Sequence, residues 1–219
     1  MKTHVIVFPG SNCDRDVAVA IENISGSKPD MVWHKNTSIQ ESDLIVVPGG
    51  FSYGDYLRCG AIASTSPVIN EVIKKAKAGV PVIGICNGFQ ILIETSLLDG
   101  ALIRNKTLSF ICKDVYIKPE NSSSIFTEYN NVAKMPIAHN EGNYFADDNT
   151  LDELSGEGRI VLSYAPEDNP NGACKNIAGI CDASGRVLGM MPHPERCAET
   201  ALGGEDGKRM FTGLVEALS

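Results

Sequence analysis

Val82-Ile83-Gly84-Ile85-Cys86-Asn87-Gly88-Phe89-Gln90 passes from a continuous apolar run, through a Gly-x-Cys-x-Gly corner, into a helix-forming string. The first four residues predict a short strand buried on both faces, and Gln90 to Leu98 predicts the helix behind it. The same rhythm extends toward the N-terminus. Val5-Ile6-Val7-Phe8 ends at Pro9-Gly10, and a helical stretch follows from Asp14 to Ile24 with Val17, Ala20, Ile21 and Ile24 on one face. Met31-Val32-Trp33 and Leu44-Ile45-Val46-Val47 are further strands, the second ending at Pro48-Gly49-Gly50. Ile62, Ile69, Val72, Ile73 and Ala76 then recur at helical spacing ahead of Gly79. Apolar strands alternating with amphipathic helices imply a parallel sheet covered on both faces, so the expected class is α/β, doubly wound.

After Gly100 the pattern changes. Val115-Tyr116-Ile117-Lys118, Arg159 to Tyr164 and Ile177 to Cys181 read as strands separated by turns rather than helices. Asp182-Ala183-Ser184-Gly185 is a hairpin turn into Val187 to Met191. Phe211, Leu214, Val215 and Leu218 form the buried stripe of a last helix. The tracts 120–124 and Asp147-Asp148-Asn149 read as surface loops. The expectation is a flavodoxin-like, mostly parallel sheet with a late antiparallel strand extension, in a single domain over residues 1–219.

Composition narrows the function classes. With 43% hydrophobic and 21% charged residues, the chain of 219 residues is that of a packed globular domain. The net charge of −8 argues against a nucleic-acid or anionic-membrane partner, and Lys74-Lys75-x-Lys77 reads as the wet side of a helix. The longest apolar stretch, Ala78 to Cys86, is interrupted by Gly79, Pro81 and Gly84, so no membrane span is expected. The N-terminus reads as a first strand, not as a signal peptide. Seven cysteines with no C-x-x-C pair suit neither a disulfide framework nor a zinc site, and place the chain in the cytoplasm.

Three segments at strand ends carry chemistry. Gly84-Ile85-Cys86-Asn87-Gly88 has the nucleophile-elbow pattern: a sharp strand-to-helix turn exposes the Cys86 side chain near free helix N–H groups, which favour a thiolate. A thiol nucleophile needs a base, and the base an orienting group. In Met191-Pro192-His193-Pro194-Glu195-Arg196 the extended bias before proline points His193 and Glu195 to one side, so that the carboxylate holds one ring nitrogen while the other faces the thiol. A turn with a Glu195–Arg196 surface pair is the bland alternative. His4 and His34, at early strand edges, are expected to be structural or exposed, and His139 is left without a role. Pro48-Gly49-Gly50-Phe51-Ser52-Tyr53-Gly54-Asp55 supplies unobstructed backbone N–H groups; those of Gly50 and Asn87 are the candidate oxyanion donors. Phe8-Pro9-Gly10-Ser11-Asn12 lacks the Gly-Lys-Ser/Thr ending of a phosphate loop.

Together, these three segments resemble the class I (triad) glutamine amidotransferases. Phe8-Pro9-Gly10-Ser11-Asn12-Cys13-Asp14, Asp55-Tyr56-Leu57-Arg58, Pro170-Asn171-Gly172 and Gly189-Met190-Met191-Pro192 narrow the resemblance to the glutaminase subunits of phosphoribosylformylglycinamidine synthase. The resemblance implies that Cys86, His193 and Glu195 hydrolyse glutamine through a thioester, with Gln90 at a position that contacts the bound substrate. It implies delivery of ammonia to a large synthetase subunit, which uses ATP and magnesium to form formylglycinamidine ribonucleotide in purine biosynthesis, and a small third subunit. It implies no cofactor or metal in this chain. The sequence departs from the pattern at Asn140, Ala173, Cys59 and Asp99. Two rival readings are a reactive-cysteine stress-protein or peptidase-like protein on a related fold, in which His often follows the cysteine where Asn87 stands here, and a catalytically silent regulatory subunit.

Overall fold

The sheet order decides where the strand ends meet. In a computed structural model that describes residues 1–120, 124–126 and 131–218, the first half contains β1 (Thr3–Val7), α1 (Asp14–Ser25), β2 (Asp30–Trp33), β3 (Leu44–Val47), α2 (Pro67–Lys77), β4 (Val82–Ile85) and α3 (Asn87–Glu94). The second half contains β5 (Ala101–Ile103), β6 (Ile111–Pro119), β7 (Ala133–His139), β8 (Asn143–Phe145), α4 (Asp148–Gly156), β9 (Ile160–Tyr164), β10 (Ile177–Cys181), β11 (Val187–Met190) and α5 (Asp206–Ala217). The main sheet runs β2-β1-β3-β4-β11-β10-β9-β6-β7, and β5 pairs with β8 separately. Strands β2, β1, β3, β4 and β11 are parallel neighbours. From β11 outward every pairing is antiparallel.

The crossovers from β1 to β2 and from β3 to β4 step in opposite directions along the sheet. Because such crossovers are right-handed, they put α1 and α2 on opposite faces. The central strands are buried on both faces: Leu44 to Val47, Val82, Ile83, Ile85 and Val187 to Met190 have almost no accessible surface. Continuous apolar strands were the sequence signal, and this double burial is its cause.

Several boundaries differ from the sequence pattern. The helix read through Ile62 to Ala76 is broken: residues Ala63–Thr65 form a separate 3₁₀ turn, and α2 starts at Pro67, whose missing N–H costs nothing in a first helical turn. The helix expected over Gln90 to Leu98 begins at Asn87, immediately after Cys86, and ends at Glu94. Leu98 is buried outside it, so its apolar spacing reflects packing rather than helix. The second half is not strands and turns alone, since α4 intervenes. Its start lies in the acidic tract read as a loop, where the Asp147 side chain accepts from the Thr150 N–H at 2.8 Å and caps the helix. Of the other expected loop, residues 121–123 lie outside the described residues. Strand β7 carries Pro136, which is tolerated because β7 pairs on one side only.

No helix of the described residues is long and apolar enough to cross a membrane. The Asp182-to-Gly185 turn forms as expected, with the Asp182 N–H donating to the Val187 carbonyl at 3.0 Å.

Close packing of α3 on the sheet depends on Gly88. A β-carbon there would overlap the Val47 carbonyl oxygen at the end of β3. We expect Gly88→Ala to destabilise the fold by about 2 kcal/mol through overpacking. That lowers the melting midpoint by roughly 4–8 °C, which calorimetry of the two proteins measures.

Candidate functional site

Ligands of open α/β sheets sit beyond the carboxyl ends of the strands, where the crossovers diverge. Here the ends of β1, β3, β4 and β11 converge there, bringing together the loop 8–13, the Pro48-Gly49-Gly50 segment, Cys86 and His193. The β4–β11 pairing is decisive: Ile85 is the register partner of Met190, and the Cys86 N–H donates to the Met190 carbonyl at 2.7 Å. The nucleophile candidate and the base candidate therefore leave adjacent parallel strands at one level.

Cys86 has φ 50° and ψ −104°, a conformation that side-chain-bearing residues rarely adopt, as expected of a nucleophile elbow. The expected solvent exposure is not found; the residue is 4% exposed. The turn aims the thiol into an enclosed site rather than into bulk water. Its sulfur lies 3.7 Å from the Ala138 carbonyl of β7. Directly behind it, α3 leaves its first N–H groups without intrahelical partners.

His193 Nδ1–H donates to Glu195 Oε1 at 2.6 Å, in a pair almost completely buried. The geometry joins the residues named from sequence but by a different route. The stretch Pro194–Cys197 is a 3₁₀ turn, not an extended strand, and this turn folds the carboxylate back onto the ring. The bland Glu195–Arg196 pairing is absent among the described residues; Arg196 reaches Asp16 instead, at 3.8 Å. Burial opposes a charged His193, but the Glu195 carboxylate, with Cys86 and Cys13, outweighs it and holds the ring pKa well above its ordinary value. His193 Nε2 is buried with no hydrogen-bond partner among the described residues, which leaves it available for proton exchange. This arrangement suits a thiol nucleophile whose proton passes to an oriented imidazole.

Gly50 lies at φ 135°, and a β-carbon on it would sit 2.6 Å from the Asn12 nitrogen. Only glycine fits between the two loops. The Phe51 N–H donates to the Gly10 carbonyl at 2.9 Å, and Tyr53 N–H to that of Pro9 at 2.7 Å, so the loop after β1 braces the loop after β3. The Asn87 side chain accepts from the Ser52 N–H at 3.1 Å and donates to Asp55 at 3.2 Å and to Gln90 Oε1 at 2.9 Å. Gln90 in turn donates to the Glu141 carbonyl at 2.7 Å. Its amide is thus committed to protein partners that fix α3 against the Ser52–Asp55 and His139–Gly142 loops.

The mouth of the site is a cavity of about 210 Å³ lined by Cys13, Gly50, Phe51, Phe110, Cys112 and His193, among others. Phe51 and Phe110, both half exposed, face each other across it with ring centres 6.3 Å apart.

Sequence reasoning missed two participants. Cys13 accepts from Arg196 Nη2 at 3.0 Å, and the ligand-type atoms of Cys13, His193 and Glu195 all lie within 4.8 Å of one another. A sulfur, an imidazole and a carboxylate form a metal-type donor set, yet the Arg196 cation beside the sulfur and the commitment of Glu195 to His193 disfavour a cation there. His139, left open, is buried next to this group, and neither ring nitrogen is hydrogen-bonded among the described residues. Burial and the neighbouring His193 push its pKa down to about 4, so it is neutral at pH 7. Asn105 clamps its loop by donating to the His139 carbonyl and accepting from the Gly142 N–H, both at 3.0 Å. His4 and His34 are buried and structural, His34 bonding Tyr53 at 2.6 Å.

The chain is similar to known proteins over its whole length. Residues 1–204 match the family model of the CobB/CobQ-like glutamine amidotransferase domain. The phosphoribosylformylglycinamidine synthase subunit PurQ of Trichormus variabilis is 54% identical, the match covering 99% of this chain and 97% of that one. PurQ of Zymomonas mobilis is 55% identical, with 100% of each covered. Among solved structures, PurLQS of Thermotoga maritima superposes with a TM-score of 0.89 at 44% identity, covering 100% of this chain and 99% of the matched one. A glutamine amidotransferase of the same organism, 16% identical with a TM-score of 0.64 and covering 100% and 96%, shares the fold.

The depressed pKa of His139 makes stability acid-sensitive. Between its folded value of about 4 and an unfolded value near 6.5, only the unfolded chain binds the proton, so stability rises with pH across that window. On acidification from pH 7 to 5 this one group contributes a loss of about 2 kcal/mol. Urea unfolding at the two pH values should show a smaller loss for His139→Gln than for the unmodified chain.

Proposed function

The chain belongs to the CobB/CobQ-like glutamine amidotransferase family, and we propose that it acts as the glutaminase subunit of a phosphoribosylformylglycinamidine synthase. The observation that carries the chemistry is the convergence of Cys86, at its strained turn, with the His193–Glu195 pair on the neighbouring parallel strand. The observation that carries the pathway is the full-length similarity to PurQ proteins and to PurLQS.

In this mechanism the Cys86 sulfur attacks the side-chain amide carbon of glutamine. The proton given up by the thiol rests on His193 Nε2, kept there by the ring's raised proton affinity, and passes to the departing nitrogen, so ammonia leaves and a glutamyl thioester remains. The ring then removes a proton from water, hydroxide adds to the thioester, and glutamate and the free thiol are regenerated. Glu195 keeps the ring in one tautomer and offsets its positive charge. The Gly50 and Asn87 N–H groups meet the oxyanion, and Gln90, held by Asn87 and the Glu141 carbonyl, contacts the bound glutamine.

The ammonia serves a large synthetase subunit that takes ATP and magnesium and converts formylglycinamide ribonucleotide to the amidine, assisted by a small third subunit. This chain itself needs no cofactor. We place it in the cytoplasm, where its seven free thiols persist. A stress-protein reading leaves the buried His193–Glu195 pair without work, and a silent subunit has no need of a strained Cys86.

Cys86→Ala should abolish glutamine-dependent synthesis, by roughly 10⁴-fold or more, while ammonia-dependent synthesis by the reconstituted complex is retained. Unchanged glutamine-dependent turnover would falsify the triad. Glu195→Gln should lower kcat by roughly 10²-fold or more. It should also move the alkaline limb of kcat/KM to lower pH, since the carboxylate is what raises the proton affinity of His193.

A further inference from the structure

The loop after β1 does more than brace its neighbour. Cys13 is buried at the start of α1, and its N–H donates to the Gly49 carbonyl at 3.3 Å. Its sulfur, a ring nitrogen of His193 and a Glu195 carboxylate oxygen lie within 4.8 Å of one another. A β-carbon on Gly49 would stand 2.6 Å from His193 Cε1, 3.3 Å from Nδ1 and 3.4 Å from Cys13 Sγ, so the glycine leaves room for sulfur and ring to meet. The same sulfur accepts from Arg196 Nη2 at 3.0 Å.

Arg196 follows Glu195 directly in the chain, and the second carboxylate oxygen of Glu195 is buried without a hydrogen-bond partner among the described residues. A guanidinium binds a carboxylate through two parallel hydrogen bonds and would compete with the imidazole for it. In the structure this guanidinium bonds the Cys13 sulfur and reaches Asp16 at 3.8 Å, and among the described residues it forms no ion pair with Glu195.

We propose that Cys13 is a positioning residue: its sulfur anchors the Arg196 guanidinium beside the His193 ring and so leaves the Glu195 carboxylate to His193 alone. The proposal rests on the glutaminase reading. Around His193 the titratable and charged groups are Glu195, Cys86, Cys13 and Arg196, with His139 on β7. Removing the anchor lets Arg196 draw on Glu195, which weakens the hold on the protonated ring.

The test uses the assembled synthase and measures glutamine hydrolysis for Cys13→Ala, Cys13→Ser and the double variant Cys13→Ala/Arg196→Met. Cys13→Ala should lower kcat roughly tenfold or more, with KM for glutamine changed by no more than about twofold. Its alkaline limb of kcat/KM should move down by about half a pH unit or more. Cys13→Ser, which keeps an acceptor for Arg196, should recover most of the rate. The double variant should regain activity over Cys13→Ala, because the competing cation is gone.

The proposal is overturned if Cys13→Ala leaves kcat and the pH profile unchanged. It is also overturned if the double variant is no better than the single one. Should Cys13→Ala fail to fold, Cys13→Ser combined with Arg196→Lys decides. The shorter lysine cannot bridge from Asp16 to the loop, so this pair should shift the alkaline limb where Cys13→Ser alone does not, and an unshifted limb overturns the proposal. A Cys86→Ala control separates the two levels: if hydrolysis survives it, the glutaminase reading fails, whereas Cys86-dependent activity indifferent to Cys13 defeats the positioning role alone.

Discussion

The site exists because β11 pairs with β4 in parallel. Antiparallel pairing would send the end of β11 to the opposite edge of the sheet, a strand length away from Cys86. Register matters as much as direction, since Ile85 lies opposite Met190 and Cys86 bonds the Met190 carbonyl. The long antiparallel excursion through β6, β7, β9 and β10 can be understood from this requirement. The hairpin from β10 to β11 reverses the chain once more, so that the last strand enters beside β4 running the right way. The same excursion delivers β7, whose Pro136 carbonyl accepts from the His193 N–H at 2.9 Å and whose Ala138 carbonyl lies against the Cys86 sulfur.

Around that seam the chain is organised for close approach. Gly88 lets α3 touch the end of β3, Gly50 lets the loops after β1 and β3 interlock, and Gly49 leaves the space that the His193 ring occupies. Small residues at these points cost conformational entropy and weaken local structure. In return, tight contacts hold Cys86 and the His193–Glu195 pair together in one buried site, where electrostatic effects are strongest. The neutral His139 fits this setting. A second charged imidazole beside His193 would repel it, and burial prevents that from arising.

Much of this was legible in the sequence because it depends on local pattern. Continuous apolar runs marked β1, β3, β4 and β10, and the Gly-x-Cys-x-Gly corner marked the strained turn, since both follow from the neighbours in the chain. Cys86, His193 and Glu195 could be named for the same reason. What escaped was set by distant partners. The strand β7 alternates buried residues with Lys134, Pro136 and Ala138, and its proline breaks the strand pattern until β6 is beside it. The helix α4 hid behind an acidic capping sequence. Cys13 looked like one thiol among seven, because its meaning comes from Arg196, far away in sequence. Gln90 could be placed near the site from its motif, but its engagement with Asn87 and Glu141 required the fold.

The backbone of Cys86 stores strain of roughly 1–3 kcal/mol, held in place by the strand before it and the helix after it. A loaded spring is the first part of a mechanism to slacken when its mounting softens. In a titration with denaturant, the corner would relax to an ordinary conformation while the sheet still stands, carrying the sulfur out of line with its base. Loss of turnover would then precede loss of the far-ultraviolet dichroism signal, and the gap between the two curves would gauge how much of the molecule's cohesion is spent on keeping one side chain aimed.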